Sequence, residues 1–144
     1  MNYTNSWDNN TRSASYARLE FPNTYHLAYR DLPEIIGEHT SGKKALDFGC
    51  GTGRSTRFLK NFRVRNKWNS NISASMISMA KQLDPAGDYH IVKDGKYDAV
   101  GNNYDLILSI FTFDNIPHRE NRAIILSALK NLLGKNGCIS YARR

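Results

Sequence analysis

Short apolar runs alternate with amphipathic segments along the chain, a pattern typical of strands that alternate with helices. The clearest run is Tyr104–Ile110, whose nearly continuous apolar character predicts a strand buried on both faces. The same reasoning predicts strands at 45–48, 89–93 and 137–142, and helices at 54–59, 74–83 and 123–133. This alternation predicts an α/β fold built from strand–helix–strand units.

Residues 1–21 are predicted to form a flexible N-terminal arm, because they are rich in Asn, Ser and Thr and carry few apolar side chains. The folded domain is then expected to span 22–144. Its first part has a partly helical period over 25–36, and Pro33 is expected to break or kink that helix.

Three glycines at alternate positions, Gly49, Gly51 and Gly53, follow the first predicted strand. Dinucleotide-binding folds carry G-x-G-x-x-G and phosphate loops carry G-x-x-x-x-G-K-[ST], so this spacing matches neither. Asp47 stands just before the turn, and an acid there suits a ligand with an ammonium group better than a pyrophosphate. The alternative is a tight strand–helix turn that binds no ligand.

The run Leu46–Gly53, LDFGCGTG, resembles the first motif of class I S-adenosylmethionine-dependent methyltransferases. Residues 71–76, NISASM, are similar to the Asp-x-Ser-x-x-Met that ends the second strand of that family, and 104–109 resemble its fourth motif. The resemblance covers roughly 22–139. It implies a Rossmann-like, doubly wound, mostly parallel sheet with helices on both faces, and S-adenosyl-L-methionine as the cofactor.

The resemblance also implies which residues bind the cofactor. The backbone of the glycine turn would pass the methionine part, with Asp47 holding the turn or the ligand ammonium, and Arg30 or Tyr25 would meet the carboxylate. The end of the second strand would contact ribose and the adenine face, and the turn after the third strand would contact the adenine edge. The fourth strand would line the floor of the site. The implied residues are Gly49, Cys50 and Gly51 in the glycine turn, Asn71 and Ile72 at the second strand, Asp94 and Gly95 after the third strand, and Ser109 and Ile110 in the fourth strand.

Two departures from the family pattern stand out. Asn71 occupies the position of the acid that accepts both ribose hydroxyls, and a neutral amide accepts less strongly than a carboxylate. Just upstream, a strand expected inside the sheet carries Arg63, Arg65 and Lys67, whose burial without partners would be costly. That segment is a surface strand or loop, a stripe that binds a polyanion, or the product of a reading-frame slip.

A further departure is that this chain supplies at most five of the seven strands of the family's sheet. The fifth strand is then expected as an exposed edge that could pair with a partner.

The charge distribution adds an alternative function. The net charge is +7, and no acid occurs between Asp47 and Asp84. A nucleic-acid-binding surface over 54–67 is one explanation, and an ordinary solvated helix face is the other. No apolar run approaches a membrane span, and two cysteines without metal-ligand spacing suggest free thiols in the cytoplasm.

The predicted function is S-adenosylmethionine-dependent methyl transfer, in line, to an unidentified, small-molecule acceptor. The loop Phe111–Pro117 is the expected substrate wall, where Asp114 and His118 have general-base potential. No catalytic residue is assigned, because displacement at a sulfonium depends mainly on alignment. An inactive, cofactor-binding remnant is the alternative, and a basic nucleic-acid-binding module is less favoured.

Overall fold

The computed structural model describes residues 6–19, 26–40, 44–62, 64, 66–93 and 95–143. Its strands are β1 Lys44–Phe48, β2 Asn66–Asn71, β3 Tyr89–Ile91, β4 Tyr104–Ile110 and β5 Leu133–Ala142. They form one sheet in the order β3-β2-β1-β4-β5, and every neighbouring pair is parallel. This arrangement confirms the predicted doubly wound α/β fold.

Helices connect the strands and cover both faces of the sheet. They are α1 Asn10–Ala17, α2 His26–Arg30, α3 Leu32–Thr40, α4 Arg54–Leu59, α5 Ala74–Leu83 and α6 Arg119–Asn131, with short 3₁₀ turns at Asp98–Val100 and Phe113–Asn115. The break between α2 and α3 falls two residues before Pro33, as the sequence predicted. None of the described helices combines the length and apolar character of a membrane span.

Each face of the sheet has its own apolar core. On one face, Ile36 of α3 packs in a cluster with Ala45 of β1 and Leu106 of β4. On the other face, Leu46 of β1 joins Leu129 of α6. All five side chains are fully buried. Because successive side chains of a strand point to opposite faces, β1 and β4 contribute to both cores and form the centre of the fold.

The second strand lies inside the sheet, between β1 and β3. The expectation of a surface strand or loop for this segment is therefore wrong for β2 itself, whereas Arg63 and Arg65 lie outside the described residues. A polar side chain is accommodated within β2: buried Asn69 donates from Nδ2 to the carbonyl of Asp88 over 2.8 Å. The segment before β3 thus satisfies the amide nitrogen of this buried side chain.

Part of the predicted flexible arm is helical. Asn9 caps α1, its Oδ1 accepting from the backbone N–H of Arg12 over 3.1 Å, and α1 packs against α5. Asn, Asp and Ser disfavour helix interiors but cap helix ends by bonding to the backbone. The composition that suggested disorder therefore supplies the cap that starts this helix.

Tyr89 links β3 to the end of α5, and this contact yields a stability prediction. Its hydroxyl donates to Asp84 Oδ2 over 3.0 Å, and Lys60 of the α4 end pairs with the other oxygen. Burial alone would raise the pKa of Asp84, but these two partners outweigh it and hold the pKa below its usual value.

We expect Tyr89→Phe to lower the free energy of unfolding by about 1 kcal/mol, because a buried hydrogen bond is lost. Tyr141→Phe is the matched control, since that side chain is 52% exposed, and it should change little. Urea unfolding measures both variants. Equal stabilities for the two would contradict the prediction.

Candidate functional site

Loops from β1 and β4 meet at the carboxyl edge of the sheet. Thr112, just after β4, places its hydroxyl oxygen 3.2 Å from the carbonyl oxygens of both Phe48 and Gly49. One hydroxyl proton serves both acceptors, so Thr112 bridges the end of β1 and the turn that follows. In open α/β sheets this edge is where ligands bind.

The glycine turn comes directly after β1 and is held against β2. The backbone N–H groups of Gly49 and Cys50 donate to the carbonyl of Ser70, over 2.8 and 3.0 Å. These two N–H groups therefore fix the turn and do not face outward. Gly49 and Gly51 have φ angles of +73° and +55°, which side chains other than glycine rarely adopt.

Asp47 is buried beneath the turn and anchors α4. Its Oδ2 accepts hydrogen bonds from the hydroxyls of Ser55 and Thr56, over 2.6 and 2.7 Å. Burial raises the pKa of Asp47 to about 6, although the two hydroxyl bonds oppose the shift. Asp47 is 1% exposed and its hydrogen-bond partners lie in α4, whereas its expected roles, holding the turn or contacting a ligand ammonium, stay predictions.

Asn71 and Ser73 order the junction between β2 and α5. Asn71 Oδ1 accepts from the backbone N–H of Ser73 over 2.8 Å, and Ser73 Oγ accepts from the N–H of Met76 over 3.2 Å. Ser73 is thus the N-cap of α5. Between them, Ile72 is 57% exposed at the carboxyl edge, an apolar surface available to a flat ligand.

The N-terminal segment, residues 6–18, crosses this edge and contacts two of its loops. Trp7 donates from Nε1 to Asn115 Oδ1 over 3.3 Å, and its carbonyl accepts from the hydroxyl of Ser73 over 3.0 Å. Asp8 Oδ1 accepts from the backbone N–H of Ser75, over 3.1 Å, at the start of α5. The segment therefore joins the loop after β4 to the end of β2.

A third contact ties the N-terminal segment to the glycine turn. Arg54, 4% exposed, donates from Nη2 to the carbonyl of Tyr16 over 3.0 Å, with its guanidinium 4.9 Å from the Tyr16 ring centre. A Cβ on Gly51 would lie 3.6 Å from that ring. The sequence did not predict these contacts, and its only signal was an aromatic residue within a polar stretch.

Of the two predicted carboxylate-binding residues, the structure describes Arg30. Arg30 is exposed at the end of α2, and its Nε donates to the neighbouring Asp31 over 2.8 Å. Its contact with a ligand carboxylate stays a prediction and would compete with this pair. Tyr25, the alternative, lies outside the described residues.

The remaining predicted binding residues differ in exposure. Gly95 is exposed after β3, and Asp94 lies outside the described residues. Ser109 is fully buried in β4 and Ile110 is 7% exposed, so both lie beneath the surface of the carboxyl edge. Their contacts with adenine or with the floor of a site stay predictions.

The loop after β4 has an unusual backbone. Phe111 and His118 have φ angles of +59° and +63°, a region that non-glycine residues seldom occupy. Such conformations cluster at functional sites. Of the two candidate bases, Asp114 accepts from Arg143 Nε over 3.2 Å, and His118 is exposed before α6.

Several positive side chains of the acid-free stretch are engaged within the protein. Arg54 is buried against the N-terminal segment, Arg57 donates to the carbonyl of Thr52 over 2.9 Å, and Lys60 pairs with Asp84. Arg54 is therefore withdrawn from solvent, whereas the Lys60 side chain is 39% exposed. The nucleic-acid alternative stays a prediction.

Comparison with known proteins gives one family match and one curated relative. A family model described as a methyltransferase domain matches residues 46–139. A protein of Haemophilus influenzae described as uncharacterized is 28% identical over 128 residues, covering 78% of this chain. The alignment covers 49% of that relative, so the chain spans about half of its length.

Solved structures share the fold. A TehB-like SAM-dependent methyltransferase from Corynebacterium glutamicum has a TM-score of 0.69 at 22% identity, covering 92% of this chain and 73% of that chain. DesVI of Streptomyces venezuelae has a TM-score of 0.73 at 17% identity, covering 94% of this chain and 58% of that chain. A DhpI-SAM-HEP complex has a TM-score of 0.73 at 16% identity, covering 92% of this chain and 60% of that chain.

These structural likenesses, all at low identity, show the fold alone, whereas the family model covers well over half of the chain. The matched range begins in β1 and includes the glycine turn, the ends of β2 and β3, and β4 with the loop after it. The chain therefore belongs to the methyltransferase-domain family and has the class I methyltransferase fold.

Proposed function

We propose that this chain is an S-adenosylmethionine-dependent methyltransferase that acts on a small-molecule acceptor in the cytoplasm. The observation that carries the proposal is the meeting of three segments at one edge of the sheet. These are the glycine turn, the β2–α5 junction and the loop after β4, which the Thr112 and Trp7 contacts join. Family membership adds the reaction class.

The residues at this edge fit the proposed cofactor. Gly51 presents backbone without a side chain, Ile72 offers an exposed apolar surface for adenine, and Asn71 keeps its amide nitrogen for ribose. S-adenosylmethionine, when bound, supplies an electrophilic methyl group on a sulfonium. Gly49 and Asp47 would act indirectly, by holding the turn in position.

The chain's own contribution to the reaction would be alignment. Holding an acceptor and a methyl donor in line is worth up to roughly 7–11 kcal/mol in favourable systems. The loop Phe111–Pro117, fixed by Thr112 and Asn115, would form one wall of the acceptor site. Asp114 or His118 would accept a proton from acceptors that carry one.

A second candidate is a protein that binds S-adenosylmethionine without transferring its methyl group. Asn71 favours this alternative, because its side-chain oxygen is already bonded to Ser73. A ribose hydroxyl then finds only the second lone pair of a neutral amide oxygen where the family has a carboxylate.

Calorimetric titration with S-adenosylmethionine and S-adenosylhomocysteine tests the proposal. We expect binding near micromolar, about −8 kcal/mol, because the glycine turn is preformed. Gly37→Ala is the control variant, since Gly37 lies in α3 with nothing near its added methyl group. A folded chain that binds neither ligand would contradict the proposal. A binder that methylates none of a panel of small amines, thiols and hydroxyl compounds would favour the second candidate.

A further inference from the structure

The acid missing from β2 has a neighbour that carries a carboxylate. Asp8 of the N-terminal segment lies with Oδ1 3.1 Å from the backbone N of Ser75 and 3.4 Å from the hydroxyl of Ser73. Asn71 bonds to the backbone N–H of the same Ser73 over 2.8 Å. The two side chains therefore meet at one residue, although they come from distant parts of the sequence.

The chemistry of the two side chains is complementary. Because the Ser73 N–H requires an acceptor, the Asn71 atom bonded to it is the oxygen, and the amide nitrogen that remains can only donate. Ribose hydroxyls donate as well as accept, and the Asn71 oxygen has only one lone pair left and is neutral, so a diol at this position gains from an ionised acceptor.

The Asp8 carboxylate has the features of that acceptor. It is exposed, and the contacts with Ser73 and Ser75 given above involve Oδ1. The backbone N–H of Ser75, helped by the hydroxyls of Ser73 and Ser75, holds the pKa of Asp8 below its usual value. The carboxylate is therefore ionised at neutral pH, and hydrogen bonds to an ionised acceptor are the stronger kind.

We propose that Asp8 supplies, from the N-terminal segment, the carboxylate that accepts the ribose hydroxyls of the cofactor, with the Asn71 amide as its donating partner. The inference rests on the proposed function, since it assumes that S-adenosylmethionine binds at this edge. It explains how the chain can carry Asn71 and still recognise ribose. Asp8 is a binding residue in this arrangement and has no part in the methyl transfer.

The test compares two ligands, S-adenosylhomocysteine and its 2′,3′-dideoxy analogue, by calorimetric titration. The wild-type chain should prefer the hydroxylated ligand by about tenfold or more, and Asp8→Asn should lose most of that preference. Asn10→Ala is the matched control: Asn10 also contacts Ser75, accepting from its hydroxyl over 3.0 Å, and the preference should persist.

Additional variants separate ribose recognition from folding. Asp8→Ser keeps an oxygen for the N–H of Ser75 while removing the charge, so it should also lose the preference for the hydroxylated ligand. This variant replaces Asp8→Asn in the test if Asp8→Asn folds poorly. Asn71→Asp in the Asp8→Asn background should restore the preference for the hydroxylated ligand, because a carboxylate then stands at the end of β2. Thermal unfolding without ligand checks that each variant is folded.

The outcomes distinguish the two proposals. A wild-type chain that binds neither ligand overturns the proposed function and this inference with it. A wild-type chain that prefers the hydroxylated ligand, with the same preference in Asp8→Asn and Asp8→Ser, overturns only the role of Asp8. Loss of the preference in both variants, with recovery on Asn71→Asp, supports it.

Discussion

Gly49→Ala is expected to destabilise the protein by about 3 kcal/mol or more and to abolish binding of S-adenosylmethionine. An added Cβ would lie 2.1 Å from Oγ1 and 2.3 Å from Cγ2 of Thr112, far inside van der Waals contact. Gly49 also has a φ of +73°, which alanine adopts only with strain. The turn and the loop after β4 must separate to admit the methyl group.

Urea unfolding and calorimetric titration measure the two effects. Gly37→Ala is the matched control, because Gly37 lies within α3 with nothing within 4 Å of an added Cβ, and alanine should stabilise the helix by about 0.5–1 kcal/mol. Adding Thr112→Ala to Gly49→Ala removes the two nearest atoms and should recover part of the stability. A Gly49→Ala chain that folds and binds like the wild type would show that the loops are not packed as described.

Asp47→Asn is expected to change the dependence of stability on pH. The folded-state pKa of Asp47 is raised from 3.8 to about 6 by burial. The folded state therefore binds a proton more tightly than the unfolded chain, so the contribution of this group falls as pH rises from about 4 to about 6. At neutral pH the buried charge costs about 3 kcal/mol, and asparagine should remove that cost.

Asparagine fits the surroundings of Asp47. Its oxygen can still accept from Ser55 and Thr56, which now bond to Asp47 Oδ2. Asp47 Oδ1 has no partner among the described residues, nor does the Oδ1 of Asn69, which is its direct neighbour on β2. Asparagine at this position therefore places a donor on the strand next to an unpaired acceptor.

The measurement is the free energy of unfolding in urea at pH 4, 5, 6 and 7 for both proteins. Among the described groups, the charge of Asp47 acts on Tyr29 and Cys50, and burial raises the pKa values of both, away from this range. The difference between wild type and variant therefore reports Asp47. Glu34→Gln, which removes an exposed acid of α3, is the control. Parallel profiles for wild type and Asp47→Asn would refute the prediction.

The sheet could be predicted because its signals are local. The apolar run of β4 and the glycine turn after β1 each specify a strand and its end within about ten residues of sequence. Once two parallel strands are placed, their carboxyl ends must share an edge, and this brings Gly49 and Thr112 together. The family resemblance added the roles expected of the residues at that edge.

The N-terminal segment could not be predicted, because what holds it is distant in sequence. Asp8 bonds at the start of α5, and Tyr16 lies against Arg54. Neither pair leaves a periodic pattern, and the polar composition around them is equally typical of disorder and of capped, packed turns. The boundary of β5 was missed for a similar reason: α6 ends at Asn131, and pairing with β4 extends the strand back to Leu133.

The position of the N-terminal segment bears on how such domains are delimited. The family model begins at residue 46, whereas Trp7, Asp8 and Tyr16 lie well before it. A fragment trimmed to the matched range would keep the glycine motif and lose all three contacts across the carboxyl edge. A survey that reads ribose recognition from the motif alone would class this chain as defective, because the motif excludes Asp8, the residue that we propose as the replacement for the missing carboxylate.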